Sequence, residues 1–174
     1  MSPEKISLSY LNICGRVEFV RICGPFFEHS PWVAERTFVK HPFESLDALH
    51  RAMCDTVARA RPDEQIKLIA SHPDLVGKMA REGRLTHESA REQASAGLTN
   101  MTEEEISEFE RYNSAYRETF GFPFVICARE NKKEAILAAF PVRLTHARQQ
   151  EIRTALDEIG KIARLRLLDA LSEP

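Results

Sequence analysis

Three side chains have a type and a setting that point to chemistry. His72 lies in Ser71-His72-Pro73-Asp74-Leu75. Pro73 disfavours helical geometry at the residue before it, so His72 sits at a forced helix end. Imidazole is the side chain best poised for proton transfer near neutral pH; the structural alternative is a histidine capping the last carbonyls of its helix. Ser89, Glu92, Gln93 and Ala96 fall at i, i+3, i+4 and i+7, so three polar groups share one helix face with a small residue. That face is either solvated or lines a site for a ligand rich in NH and C=O groups. Arg166 is the third. It follows Ile152, Leu156, Ile159 and Ala163 on one stripe of the last helix and precedes Ala170 on it. At about 100° per residue it points within roughly 40° of Ile152. A desolvated guanidinium needs a partner, so Arg166 is either in a buried ion pair, snorkelling past the helix end, or holding an acidic ligand.

The elements that must position these groups are helical. Phe19, Val20 and Ile22 precede the stop signal Gly24-Pro25. Ser45 caps a helix carrying Leu46, Leu49, Met53 and Val57, closed by Arg61-Pro62. Asp63 is the expected cap of the next helix, with Ile66 and Ile69 inward. Thr86 opens the helix bearing Glu92, and Gly97 ends it. Thr102-x-x-Glu105 is a capping box before Ile106, Phe109, Asn113, Tyr116 and Phe120, with Gly121 as the stop. Asn131-x-x-Glu134 reads as a second capping box, before Ile136, Leu137 and Phe140. The last helix is expected from about Thr145 to Leu171. Phe122 to Ala128 alone has no helical period and contains a proline, so it reads as an extended, buried segment. The fold class is all-α: a single domain of seven or eight helices, with one short extended stretch at 122–128.

Composition narrows the function. The 174 residues carry 24 Lys+Arg against 26 Asp+Glu, a net charge of −2. A nucleic-acid protein needs a basic footprint that this balance does not supply. No apolar run approaches the roughly 20 residues that span a bilayer. Met1 to Leu11 lacks the layout of a secretory signal, and the cytoplasm is the expected compartment. Cys14, Cys23, Cys54 and Cys127 have no C-x-x-C or zinc spacing and read as small buried hydrophobes. No two of the six histidines form H-x-x-x-H, so no metal site is expected.

Taken in order, Ser71-His72-Pro73-Asp74-Leu75, Ser89-Ala90-Arg91-Glu92-Gln93 with Ala96-Gly97-Leu98, Asn113-x-x-Tyr116, Phe120-Gly121-Phe122-Pro123-Phe124-Val125, Arg143-Leu144, Glu151 and Arg166-Leu167 form a specific combination. It resembles the OHCU decarboxylase family, enzymes of urate breakdown acting on 2-oxo-4-hydroxy-4-carboxy-5-ureidoimidazoline, from about Phe19 to Leu171. The resemblance implies an all-α homodimer without metal or organic cofactor and a small-molecule substrate. It implies His72 as the active-site histidine, with Pro73 contacting substrate, and Glu92 as the catalytic glutamate. Ser89, Ala90, Arg91, Glu92 and Gln93 would line the pocket, and Arg166 would bind the acidic group. Phe124, Val125, Ile126, Cys127 and Ala128 would offer backbone hydrogen bonds to the ring and ureido group. Arg143 is the competitor for the role of Arg166. The stretch Ala34 to Phe43 departs from the shorter Arg-Pro-Phe of relatives, which bears on a loop. Two other readings compete: a helical binding module in which Arg166 and Glu92 pair, and the same fold acting on another ureido acid.

Overall fold

The computed structural model describes residues 5–174, so the first four residues of the Met1 to Leu11 stretch lie outside it. Among the described residues the chain forms ten α-helices: α1 (Leu8–Ile13), α2 (Arg16–Cys23), α3 (Trp32–Thr37), α4 (Leu46–Ala58), α5 (Pro62–Ala70), α6 (Lys78–Arg81), α7 (His87–Ser95), α8 (Glu103–Phe120), α9 (Lys133–Leu144) and α10 (Arg148–Ala170). The fold is all-α. The count exceeds the expected seven or eight because α1, α3 and α6 are six, six and four residues long. Fewer than two turns carry no readable period. None of the helices is long and apolar enough to cross a membrane.

Local chemistry accounts for the boundaries. Ser45 Oγ accepts from the Ala48 N–H, and Thr86 Oγ1 accepts from the Ser89 N–H. Thr102 and Glu105 form the reciprocal capping box at the head of α8, and Gly121 closes that helix at φ 82°. Two expected caps are corrected. The cap of α5 is Arg61 rather than Asp63, because Pro62 occupies the first helical position, where its missing N–H costs nothing. Glu64 reaches back to accept from the Arg61 N–H at 3.0 Å. Lys132, not Asn131, caps α9; the Asn131 amide instead donates to the Cys127 carbonyl at 2.9 Å. The last helix begins three residues later than expected, at Arg148.

The chain divides into two compact units: residues to Ser71 with Gly160–Pro174, and His72–Ile159. In the first, α3 packs on α2 and α4 around Phe19, Val33, Leu49 and Met53. A two-residue parallel pair, Ile6–Ser7 (β1) with Leu171–Ser172 (β2), ties its ends together. The Ala34 to Phe43 stretch forms the end of α3, a 3-10 turn at Phe38–Lys40 and a cis His41-Pro42 bond. In the second unit α8 packs on α9, and Phe109, Tyr116, Phe124 and Phe140 build an aromatic core. The Phe124 and Phe140 rings stack at 3.8 Å.

The stripe expected on α10 is partly corrected. Ile152, Ile159 and Ala163 are buried, but Leu156 and Ala170 are half-buried, while Ala155, Ile162 and Leu167 fill their places. Of the cysteines, Cys23 and Cys127 are buried as expected; Cys14 and Cys54 are half-buried. Burial pushes the Cys127 thiol up to about 11, so it stays protonated at neutral pH.

Candidate active site

His72 begins the second unit and is buried. The helix end before it is already capped by Ser71, whose N–H reaches the Lys67 carbonyl and whose hydroxyl reaches that of Leu68 at 2.6 Å. After it, three successive residues are held by side chains of the same unit. Gln93 on α7 donates to the Asp74 carbonyl at 3.3 Å and accepts from the Val76 N–H at 3.0 Å. Asn113 on α8 donates to the Leu75 carbonyl at 2.9 Å. The Arg117 guanidinium meets the Asp74 carboxylate at 3.0 and 3.1 Å. The His72 loop is thereby tied to two helices.

On α7, Ser89 and Gln93 are the buried residues and Glu92 is half-buried, so the polar face packs inward instead of being solvated. Ala90 and Arg91 are exposed. The helix packs against the 3-10 turn Ala128–Glu130, and the Lys133 N–H donates to the Ala96 carbonyl at 3.1 Å. Within this unit the loop of His72, the helix of Glu92 and the end of the 124–128 segment are therefore joined.

That segment is non-helical from Phe122 to Cys127, and Ala128 opens the 3-10 turn. Part of its backbone is committed. The Val125 carbonyl accepts from Arg143 at 2.6 Å, and the Cys127 N–H donates to Glu158 at 2.7 Å. Among the described residues the N–H and C=O of Ile126 have no hydrogen-bond partner, which leaves one backbone donor and one backbone acceptor for a ligand.

Arg143, the expected competitor of Arg166, is buried and used up within the protein. Nε and Nη2 reach Glu151 at 2.9 and 2.8 Å, Nη1 takes the Val125 carbonyl, and Nη2 also contacts the Tyr116 hydroxyl at 3.3 Å. Glu151 further accepts from the Tyr116 hydroxyl and pairs with His146 at 2.7 Å. Burial, then the bond to Glu151, raises the Tyr116 pKa above its ordinary value, so the phenol remains a donor. The network fixes the extended segment from behind.

In the first unit Arg166 is buried and donates through Nη1 to Glu28 at 2.7 Å and to the Pro25 carbonyl at 3.2 Å. Glu28 is itself buried. The ion-pair reading of Arg166 is thus met, but by Glu28. Nothing in the local pattern around Glu28 marks it as that partner, since 138 residues separate the two. Glu158, Glu151 and Asn113 were likewise not singled out for the contacts they make. The one available sign was their spacing, Glu151 and Glu158 lying seven apart on one helix face.

A cavity of about 310 Å³ opens in the second unit, lined by Val76, Ala90, Gln93, Leu98 and Ile106 among others. Of the residues expected at the site, Ala90 and Gln93 line it.

The second unit thus joins a loop-borne histidine, a carboxylate on a neighbouring polar helix and a partly uncommitted extended segment, groups of the kind that acid–base chemistry uses. Comparison with known proteins gives the particular family. Residues 12–168 match the family model described as OHCU decarboxylase. A Haloferax volcanii protein named 2-oxo-4-hydroxy-4-carboxy-5-ureidoimidazoline decarboxylase is 40% identical over 97% of this chain and 98% of its own. A Mus musculus protein of the same name is 38% identical over 88% of this chain and 86% of its own. The solved structure of (S)-allantoin synthase superposes with a TM-score of 0.77 at 29% identity, covering 95% of this chain. This chain spans about half (54%) of that one. The chain belongs to the OHCU decarboxylase family.

Proposed function

We propose that this protein is a carboxy-lyase that converts 2-oxo-4-hydroxy-4-carboxy-5-ureidoimidazoline to (S)-allantoin in urate breakdown. The observation that carries the reading is the buried His72, on a loop tied to α7 beside the partly uncommitted 124–128 segment. The substrate bears its carboxylate and hydroxyl on one ring carbon, next to a C=N carbon. When the bond to the carboxylate breaks and CO2 leaves, the electron pair moves toward that C=N group. The substrate is its own electron sink, the service a cofactor renders in other decarboxylases.

The remaining tasks are orientation and one proton. His72 exchanges a proton with the hydroxyl and delivers one to the adjacent ring carbon from a single face, which gives one enantiomer. Glu92, flanked by Ser89, Ala90, Arg91 and Gln93, accepts from ring or ureido NH groups. Pro73 packs on the ring, and the backbone from Phe124 to Ala128 bonds the ureido end through Ile126. Arg166 takes the acidic group with its planar fork. The working form in this reading is a cytoplasmic homodimer.

The test is His72→Asn, which keeps size and polarity and removes the titrating ring. Turnover falls by about 10²–10⁴-fold while the helical circular dichroism is unchanged. A folded variant working at the wild-type rate removes His72 from the mechanism.

A further inference from the structure

The residues after His72 hold a backbone conformation that they do not favour. Val76 has φ 55°, in the left-handed region, where a β-branched side chain is a genuine outlier. It is buried, and the turn around it is tight: a Cβ on Gly77 would lie 2.8 Å from the Asp74 Cβ. Such a conformation persists only where its surroundings over-determine it. Here they do so through two buried amides. Gln93 bonds both the Asp74 carbonyl and the Val76 N–H, and Asn113 bonds the Leu75 carbonyl between them.

Asn113 shows what this arrangement costs. It lies on α8 in line with Phe109, Tyr116 and Phe120, where an apolar residue would continue the core. Its Oδ1 is buried with no hydrogen-bond partner among the described residues, so half of the amide is desolvated without return. Only the donor half is used, and it is used on the His72 loop.

We infer that Asn113, with Gln93, is a positioning residue that holds the strained Asp74–Val76 turn and thereby aims the His72 imidazole. The inference rests on the proposed role of His72. Asn113 touches no substrate; it acts through the loop, where a displacement of about 1 Å costs up to roughly 10²-fold in rate.

The test is Asn113→Asp, which preserves shape and turns the donor into a carboxylate. At neutral pH kcat falls roughly 10–100-fold with KM unchanged, measured well below the melting temperature. As pH is lowered, the variant's carboxyl group protonates and its O–H again donates to Leu75, so the ratio of variant to wild-type kcat rises. A merely structural residue would lower the melting temperature and leave the kcat of the folded fraction intact. Asn113→Ser, smaller and uncharged, makes the same kcat and KM test where Asn113→Asp does not fold. Wild-type kcat in the folded variant overturns the inference, as does a raised KM with kcat intact, which would put Asn113 in substrate binding. His72→Asn is measured alongside. If it is inactive while Asn113→Asp is fully active, the clamp fails and the role of His72 stands; if it is fully active, both fall.

Discussion

Two buried arginines, each facing a buried carboxylate, solve the same electrostatic problem in different ways. Arg143 in the second unit has all three nitrogens engaged, by Glu151, the Tyr116 hydroxyl and the Val125 carbonyl, with its guanidinium 4.2 Å from the centre of the Phe124 ring. Arg166 in the first unit is anchored at Nη1 by Glu28 and the Pro25 carbonyl. The former is a structural cross-brace on the extended segment. The latter joins a buried carboxylate and a backbone carbonyl, and is the arginine proposed above to take the acidic group of the substrate. Burial alone is weak evidence of an arginine's function, because ion pairing and ligand binding both demand it.

The sharpest way to break this comparison is to remove each guanidinium. Arg143→Leu leaves the Glu151 carboxylate buried beside a neutral neighbour and costs about 3–5 kcal/mol. Thermal unfolding should register that as a drop on the order of 10 °C in Tm. Arg166→Lys keeps a charge for Glu28 and loses the fork, so its effect falls on substrate: KM rises roughly tenfold or more, one charge-assisted bond being worth about 1.5–3 kcal/mol. Steady-state kinetics with KM unmoved would mean that the acidic group is held elsewhere. Exposed pairs supply the baseline. Arg164→Ala removes a surface ion pair with Asp47 and should change stability by no more than about 0.5 kcal/mol in a denaturant titration.

The smallest effect is one that fades in acid. The Arg36 guanidinium and the Arg61 N–H hold the Glu64 carboxyl down from 4.5 to about 2. A depressed carboxyl contributes stability that is present above pH 4.5 and lost as pH falls through about 2. Glu64→Gln should therefore flatten the dependence of Tm on pH across that window: it lowers Tm slightly at neutral pH, and the difference from the wild type vanishes as pH falls through about 2.

What was legible in the sequence was local. Thr86, Thr102, Gly97 and Gly121 act within four residues of themselves, and each performs its expected role at a helix end. His72 after a forced helix end and the polar face of α7 were readable for the same reason: proline geometry and helical spacing are properties of neighbours in the chain. Asp63 and Asn131 misled because a competing local group won, Pro62 in one case and the Cys127 carbonyl in the other. The partners were not legible. Glu28 meets Arg166 across 138 residues, and Asn113 meets Leu75 across 38; no pattern along the chain records either.

Circular dichroism during urate oxidation tests directly whether this chain makes (S)-allantoin. Urate oxidase and hydroxyisourate hydrolase generate the ureidoimidazoline, which decays unaided to racemic allantoin. With catalytic amounts of this protein present, a rapid and lasting (S)-allantoin signal should develop. A folded sample that leaves the product racemic, at the unaided rate, would show that the protein is not this decarboxylase.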